Sequence, residues 1–295
     1  MMAPSTSTLR VFHPAANVFA FYDGRVPGRR AYSTEPNWLD DGAYALGICS
    51  YAIVDGEQAL IYDTHISLAH ARAIRTYLES LGVREMRVVL SHWHDDHVAG
   101  NEVFSDCEII AHWLTAEILT ERQVILETGN PPIFPLIHPN RTWEGELDLD
   151  IGGVRVQLRH ADIHSRDGTV LVLPAQRLLF AGDCLEDTIT YVAEPDRLEI
   201  HAEALRAMSK WKISSIYPNH GSPDRIEHSG YPVALVDATM SYVEKLCRCP
   251  CDAELAALDL HAFAAESLAA GAITYFPPYE AVHRRNVEAV CSEVR

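Results

Sequence analysis

The chain has 295 residues, 48% hydrophobic and 22% charged. This excludes a disordered or low-complexity polymer, which lacks the apolar surface to offset the entropy of ordering. Asp and Glu number 41 against 24 Lys and Arg, a net charge of −17, and that balance argues against nucleic acid as a partner, because phosphate contacts need basic side chains.

Taken along the chain, Leu9 to His13 and Asn17 to Tyr22 read as short strands before an Asp23-Gly24 turn, and Pro27 to Asp41 as a turn-rich loop. Ile48 to Val54 and Ala59 to Asp63 flank Asp55-Gly56, which predicts a hairpin. Leu68, Ala71, Ile74, Leu78 and Leu81 recur at helical spacing, with Ser67 as N-cap and Gly82 as stop. Met86 to Leu90 is β-type and ends in a polar cluster. Glu108 to Ala111 is a further strand, and a helix is expected near Thr115 to Glu127. Residues 129–141 hold Pro131, Pro132, Pro135 and Pro139 and cannot be regular structure. With Phe134 at its centre, this apolar loop is expected to act as a lid.

The second half repeats the style. Leu147 to Leu149, Val154 to Arg159, Thr169 to Leu173 and Leu178 to Ala181 read as strands, and Leu198 to Trp211 as a helix. Ser215 to Tyr217 is a strand and Tyr231 to Leu246 a helix, and the tail from Asp252 predicts two or three more helices. Two runs of strands, each passing into βα units, predict an α/β protein with two inner sheets and outer helices. No apolar run reaches the roughly 18–20 residues of a bilayer span, and the first ten residues lack an apolar signal core. The expected setting is cytoplasmic, without a membrane. Seven cysteines at irregular spacing do not read as a disulfide framework.

Fifteen histidines are unusual, and they cluster. His92-Trp93-His94-Asp95-Asp96-His97 follows a hydrophobic strand directly. His92 and His94 share one face of an extended backbone, while Asp96 and His97 fall where the chain turns and can aim at a second centre. Imidazole and carboxylate suit Zn²⁺ or another first-row ion. A polar loop around a satisfied histidine is the plain alternative, and four ligand-type side chains within six residues outweigh it. Three more β-type runs end in ligand-type residues: His160-Ala161-Asp162-Ile163-His164, Gly182-Asp183 and Asn219-His220.

Over residues 10–245 this set resembles the metallo-β-lactamase superfamily, with matching motifs at Asp63, at His92/His94/Asp96/His97, at His164, at Asp183 and at His220. The resemblance implies an αββα sandwich: two central mixed β-sheets flanked by helices. Residues 1–245 would form the catalytic domain and 246–295 a helical C-terminal extension packed on it. It also implies two divalent metal ions, with Zn²⁺ expected and Fe or Mn as alternatives. His92, His94 and His164 would hold the first, Asp96, His97 and His220 the second, and Asp183 would bridge them. Asp63 would orient ligands from behind, and His164 is preferred over His160 because the second member of that pair ligates in the family.

The implied activity is a metal-dependent hydrolase on a small ester, lactone, thioester or amide, with lactonase and thioesterase as leading classes. Asp96 or Asp183 would handle the proton. Tyr191 is a candidate donor to the oxyanion, weighed against simple core packing. The alternatives are an iron-dependent, sulfur dioxygenase-like oxidoreductase, a β-lactamase, or a non-catalytic binding module. The expected partner is a small molecule, and a homodimer is left open. Cys184 reads as a small buried hydrophobe, Cys247-Arg248-Cys249-Pro250-Cys251 as an incidental cluster, Trp93 and Trp113 as pocket wall or core. His65, His112 and His138 have no assigned role.

Overall fold

The computed structural model describes residues 4–293. Its strands are β1 (Arg10–Ala15), β2 (Val18–Asp23), β3 (Ile48–Asp55), β4 (Gln58–Tyr62), β5 (Glu85–Val89), β6 (Glu108–His112), β7 (Arg141–Trp143), β8 (Glu146–Ile151), β9 (Val154–His160), β10 (Thr169–Leu173), β11 (Leu178–Gly182) and β12 (Ser215–Pro218). The first seven form one sheet in sequence order, antiparallel through β4 and parallel from β4 to β7. The other five form a second sheet ordered β12-β11-β10-β9-β8, parallel only between β11 and β12. Both sheets are therefore mixed.

The α-helices are α1 (Leu68–Ser80), α2 (Asp95–Val98), α3 (Trp113–Glu127), α4 (Leu198–Met208), α5 (Pro223–His228), α6 (Ala234–Arg248), α7 (Ala253–Ala256), α8 (Leu260–Phe263), α9 (Ala265–Ala269) and α10 (Tyr279–Glu293). A strand's two-residue period sends alternate side chains to opposite faces. In β4, Leu60 and Tyr62 enter the cluster between the sheets, while Ala59 and Ile61 enter the outer one with Ala71, Ile74 and Leu78 of α1. In β6, Ile110 goes inward and Ile109 and Ala111 outward, the latter pair meeting Leu119 of α3. Leu205 of α4 and Val236 of α6 join the inner cluster from the second sheet's side. The result is helices, two sheets and helices in layers.

Tyrosines bridge the inner core with their hydroxyls. Tyr51 donates to the Pro218 carbonyl at 2.5 Å, Tyr62 to Thr169 at 2.5 Å and Tyr22 to Gly221 at 2.9 Å. Each is a first-sheet residue gripping the second sheet or the loop after it. These bonds satisfy buried polar atoms and fix how the two sheets' ends align.

The structure departs from the sequence reading in places. Part of the 27–41 loop runs into a π-helical turn, Leu39–Tyr44, ordered because the buried Asp40 carboxylate accepts from the amides of Ala31, Tyr32 and Ser33. Tyr231 pairs with Ile216 as an isolated bridge rather than starting a helix, and a short helix, α5, precedes it. Residues 129–140 are irregular and Arg141 already opens β7, but the segment does not cover the histidine cluster. It borders a separate groove of about 310 Å³ with Trp38 and Ile66, and Phe134 is 71% exposed. The tail holds four helices among its described residues. Its Phe263, Tyr279, Val282 and Val290 share the buried inner cluster with the main body. Among the described residues no helix is long and apolar enough to cross a membrane.

Candidate metal centre

The ligand-type residues sit where strands end. β5 passes into Ser91–His97, β9 into residues 161–164, β11 into Asp183 and β12 into Asn219-His220. Two unusual backbone positions help to aim them. Asp63, just after β4, has φ +65°, and His164 has φ +68°. This left-handed region is costly for most side chains and is tolerated best by Asn and Asp. Gly182, at φ +56°, is forced by space as well: a Cβ there would lie 2.9 Å from Ser91 Cβ and 3.0 Å from Tyr62 Oη. A side chain at 182 would push the Asp183 turn away from the β5 end.

Seven side chains converge into two quartets that share Asp183. In the first, His92 Nε2 lies 2.9 Å and His164 Nε2 3.0 Å from His94 Nδ1, and Asp183 Oδ2 is 3.7 Å from His92 and 3.8 Å from His164. In the second, Asp183 Oδ2 is 3.2 Å from His97 Nε2 and 3.4 Å from His220 Nε2. Asp96 closes that quartet at 3.4 Å from His97 and 3.1 Å from His220. Within each quartet the candidate ligand atoms lie within 4.8 Å of one another, so each could hold one metal ion.

The hydrogen bonds behind the rings decide which nitrogen faces inward. His97 Nδ1 donates to Asp63 Oδ2 at 2.9 Å, His164 Nδ1 to the Tyr191 carbonyl at 2.8 Å, and His220 Nδ1 to the Gly47 carbonyl at 2.7 Å. His92 Nδ1 rests on Ser91 Oγ at 2.9 Å. Acceptors at Nδ1 leave Nε2 of each ring directed at the cluster's centre, the outer-shell arrangement that orients a ligating imidazole. Burial lowers the pKa of His92, of His94 (to about 3) and of His164 (to about 4), so these rings are neutral. One proton on His94 Nδ1 can satisfy only one of its two close nitrogen neighbours. Bare lone pairs packed this tightly, with Asp183 Oδ1 buried and without a hydrogen-bond partner, fit a site completed by cations.

The second quartet carries more negative charge. Burial lowers the pKa of His97 and His220, but the Asp183 and Asp96 carboxylates outweigh it and both end well above the ordinary value. Burial raises Asp183, yet His220 and His97 pull it well below the ordinary carboxylate range. Asp63 holds the frame from behind. Its Oδ1 accepts from Ser91 N at 2.6 Å, and its Oδ2 from Asn219 Nδ2 at 2.6 Å as well as from His97.

His160 stays outside the quartets. Its Nε2 donates to the Arg166 carbonyl at 2.7 Å and its ring stacks on His112 at 4.3 Å. His65 is buried and stacks on His70, and His138 is half-buried. Cys184 is buried against the Ala161 carbonyl, with its thiol pKa pushed up by burial. Among the described residues no cysteine joins a metal-type group. Trp93 packs on His94 and Arg122, and Trp113 is exposed. A third acidic group, Asp162, Glu194 and His201, already has a cation, because the Arg197 guanidinium pairs with Asp162 and Glu194.

Over the quartets lies a cleft of about 160 Å³ bordered by Gly42, Leu46, Glu186, Tyr191, Val282 and Arg285. Tyr191 is 39% exposed there, so it is not a core residue. Glu186 is a site residue that the sequence reading missed. It is buried, accepts from Tyr191 N at 3.0 Å and from the Tyr279 hydroxyl at 3.0 Å, and burial together with Asp183 pushes it up to about 8. An acid three residues after the strand-end Asp183, in a run without other charges except Asp187, was the available signal. Val282 and Arg285 carried no such signal, because they reach the cleft from a distant helix.

Comparison with known proteins agrees with this geometry. The metallo-beta-lactamase superfamily model matches residues 44–220, more than half of the chain. A beta-lactamase-like protein 2 homolog of Caenorhabditis elegans is 24% identical over 59% of this chain and 56% of its own length. A lactamase-like protein of Pestalotiopsis fici is 27% identical over 72% and 66%, and an atrochrysone carboxyl ACP thioesterase of Paecilomyces divaricatus 25% identical over 60% and 51%. The chain thus spans about half to two thirds of the length of these relatives. Among solved structures, a metallo-beta-lactamase from Pontibacter korlensis superposes with a TM-score of 0.61 at 20% identity, covering 80% of this chain and 99% of its own, which speaks for the fold. Motif order, layered sheets and matched segment agree: the chain belongs to the metallo-beta-lactamase superfamily.

Proposed function

We propose that the protein is a dinuclear metallohydrolase that cleaves a small ester or thioester. The observation that carries this reading is the pair of quartets sharing one oxygen, Asp183 Oδ2. His92, His94 and His164 would hold one ion, Asp96, His97 and His220 the other, and Asp183 would touch both. Zn²⁺ suits the nitrogen-rich first set, and Fe or Mn are the alternatives. Two such ions supply a hydroxide-generating water near neutral pH and polarise a carbonyl.

The chain's own groups do the rest. Asp96 is the more open carboxylate, 15% exposed against 5% for Asp183, and in this reading it would take up the proton of the water. Asp63 keeps the His97 ring in its ligating tautomer through the Nδ1 bond. Tyr191, on the cleft wall and fixed through its own backbone to His164 and Glu186, presents a hydroxyl that can donate to the oxyanion. Leu46 and Val282 line the cleft with apolar surface for an acyl group. Thioesters lead among the substrate classes because relatives that match 60% and 59% of this chain are named as thioesterases. Residues 1–245 form the catalytic body in this reading, and 246–295 an extension that finishes its cleft.

The test is a hydrolysis screen over thioesters, esters, lactones, β-lactams and phosphodiesters with metal-loaded protein. Thioester or ester turnover is expected, lost in both His94→Ala and Asp183→Asn. Unchanged turnover in either variant refutes the mechanism. Bound iron together with oxygen uptake on a persulfide would replace it by the oxidoreductase reading.

A further inference from the structure

The cleft has an uneven charge pattern. Asp96, Asp183 and Glu186 are acidic, and Arg285 is the single basic side chain on its wall apart from the imidazoles. Arg285 lies on the exposed side of α10, beyond the segment that the superfamily model matches. Its Nε donates to the Ala281 carbonyl at 3.3 Å, and among the described residues no carboxylate pairs with it. Arg30, Arg75, Arg155, Arg197 and Arg206, by contrast, all hold carboxylates within 3.2 Å.

An unpaired surface arginine is ordinary, but this one has a fixed seat. Asn286, the next residue, accepts from Val192 N at 2.9 Å and donates to the Thr190 carbonyl at 3.0 Å. Tyr279, earlier on the same helix, donates to Glu186. Both clamps hold α10 against the loop that carries Tyr191, whose carbonyl in turn holds His164. Val282 and Arg285 are three residues apart, so they share a helix face, and that face borders the cleft. The helix position that carries Arg285 is therefore fixed at the rim, and its side chain lines the cleft, remote in sequence but close in space to the quartets.

Resting on the hydrolase reading, we propose that Arg285 anchors an oxyanion of the substrate, so that the substrate is an anionic ester or thioester with its negative group remote from the scissile carbonyl. In a chain of charge −17, an anionic ligand meets general repulsion and needs a local countercharge to enter. A guanidinium supplies it as a two-pronged donor that matches carboxylate or phosphate geometry. The oxyanion can sit on the acyl group as a carboxylate or on the thiol as a phosphate.

Four thioesters separate these sources: succinyl or butyryl groups on pantetheine or on 4′-phosphopantetheine. The readout is the ratio of kcat/KM for anionic over neutral partners. Dissociation constants of the matching uncleavable thioethers, measured by calorimetry, run in parallel. Wild type is expected to favour one anionic arm by about tenfold or more, the scale of one charge-assisted hydrogen bond. Arg285→Met should bring the ratio towards one, Arg285→Glu should invert it, and Arg285→Lys should restore part of it, with metal content as in wild type. If wild type treats all four alike, or keeps its preference in Arg285→Met, the anchor is overturned while the hydrolase reading stands. If wild type cleaves none of them yet binds the anionic thioether in an Arg285-dependent way, the thioester part of the hydrolase reading falls and the anchor survives.

Discussion

Asp63→Asn is the most informative single perturbation, because it changes almost nothing except charge and the direction of one hydrogen bond. Asn tolerates the left-handed backbone at φ +65° about as well as Asp does, so no new strain enters. The wild-type carboxylate accepts three bonds from buried donors: Ser91 N, Asn219 Nδ2 and His97 Nδ1. A carboxamide has one accepting oxygen and one donating nitrogen. If the nitrogen faces Ser91, two N–H groups oppose each other. If it faces His97, that ring must move its proton to Nε2, the atom aimed at Asp183. Either orientation leaves a buried donor unpaired, at a cost of about 1–3 kcal/mol. The second orientation also removes a ligand lone pair, and outer-shell losses of this kind weaken metal affinity about 10–100-fold. The assay is calorimetric metal titration with elemental analysis, alongside urea unfolding of the metal-free protein. The expected outcome is one ion bound as in wild type and a second bound 10–100-fold more weakly. Two ions bound at wild-type affinity would refute the assignment of Asp63 as the group that orients His97.

Three further outcomes follow from the same structure. Glu186 has a folded pKa of about 8 against an ordinary 4.5, so between these values the folded metal-free chain keeps a proton that the unfolded chain has lost. Its contribution to stability therefore falls as pH rises through that window. Glu186→Gln should flatten the slope, with a gain on the order of a few kcal/mol above pH 8 in urea unfolding at several pH values; an unaltered slope would show that Glu186 ionises normally. Gly182→Ala adds a left-handed alanine and a 2.9 Å clash with Ser91, for a loss of about 2–4 kcal/mol and reduced metal content, and wild-type unfolding would contradict the tight β11–β5 approach. Tyr191→Phe should lower kcat about tenfold with little change in KM if its hydroxyl serves the transition state; a pure KM effect would reassign the ring to substrate binding.

The quartets were legible in the sequence because their signal is local. A β-type run that stops at a histidine or aspartate needs only the strand's period and its end to be read, and β5, β9, β11 and β12 each repeat that pattern. The cluster His92 to His97 packs four candidate ligands into one turn of chain, so little tertiary knowledge is required to see it. The layered sheets were readable for the same reason, with β4 and β6 alternating between two cores residue by residue. Asp63 came only through family resemblance, since a single Asp after a strand has no distinctive local pattern.

What stayed hidden depends on contacts between segments far apart in the chain. The 129–141 loop looked like a lid because it is apolar, but composition says that a segment covers something, not what it covers, and here it borders the groove beside Trp38. For Tyr191 the sequence left an oxyanion donor weighed against core packing; the 183–190 turn is wholly buried, and the ring that follows it emerges at the cleft. That turn is itself held by the tail: Thr274 N donates to Asp187 Oδ1 at 2.6 Å, Thr188 Oγ1 to the Thr274 carbonyl at 2.7 Å, and Asn286 bonds to both Thr190 and Val192. Polar side chains such as these look unremarkable in sequence, because Asn and Thr occur everywhere on surfaces. Their roles exist only once α10 has folded back over the sheet ends. The two quartets are thus written at the strand ends, while the shape and charge of the space in front of them depend on a helix nearly one hundred residues away from Tyr191. If Arg285 anchors the substrate as proposed, substitutions on α10 would change substrate choice while the quartets stay as they are.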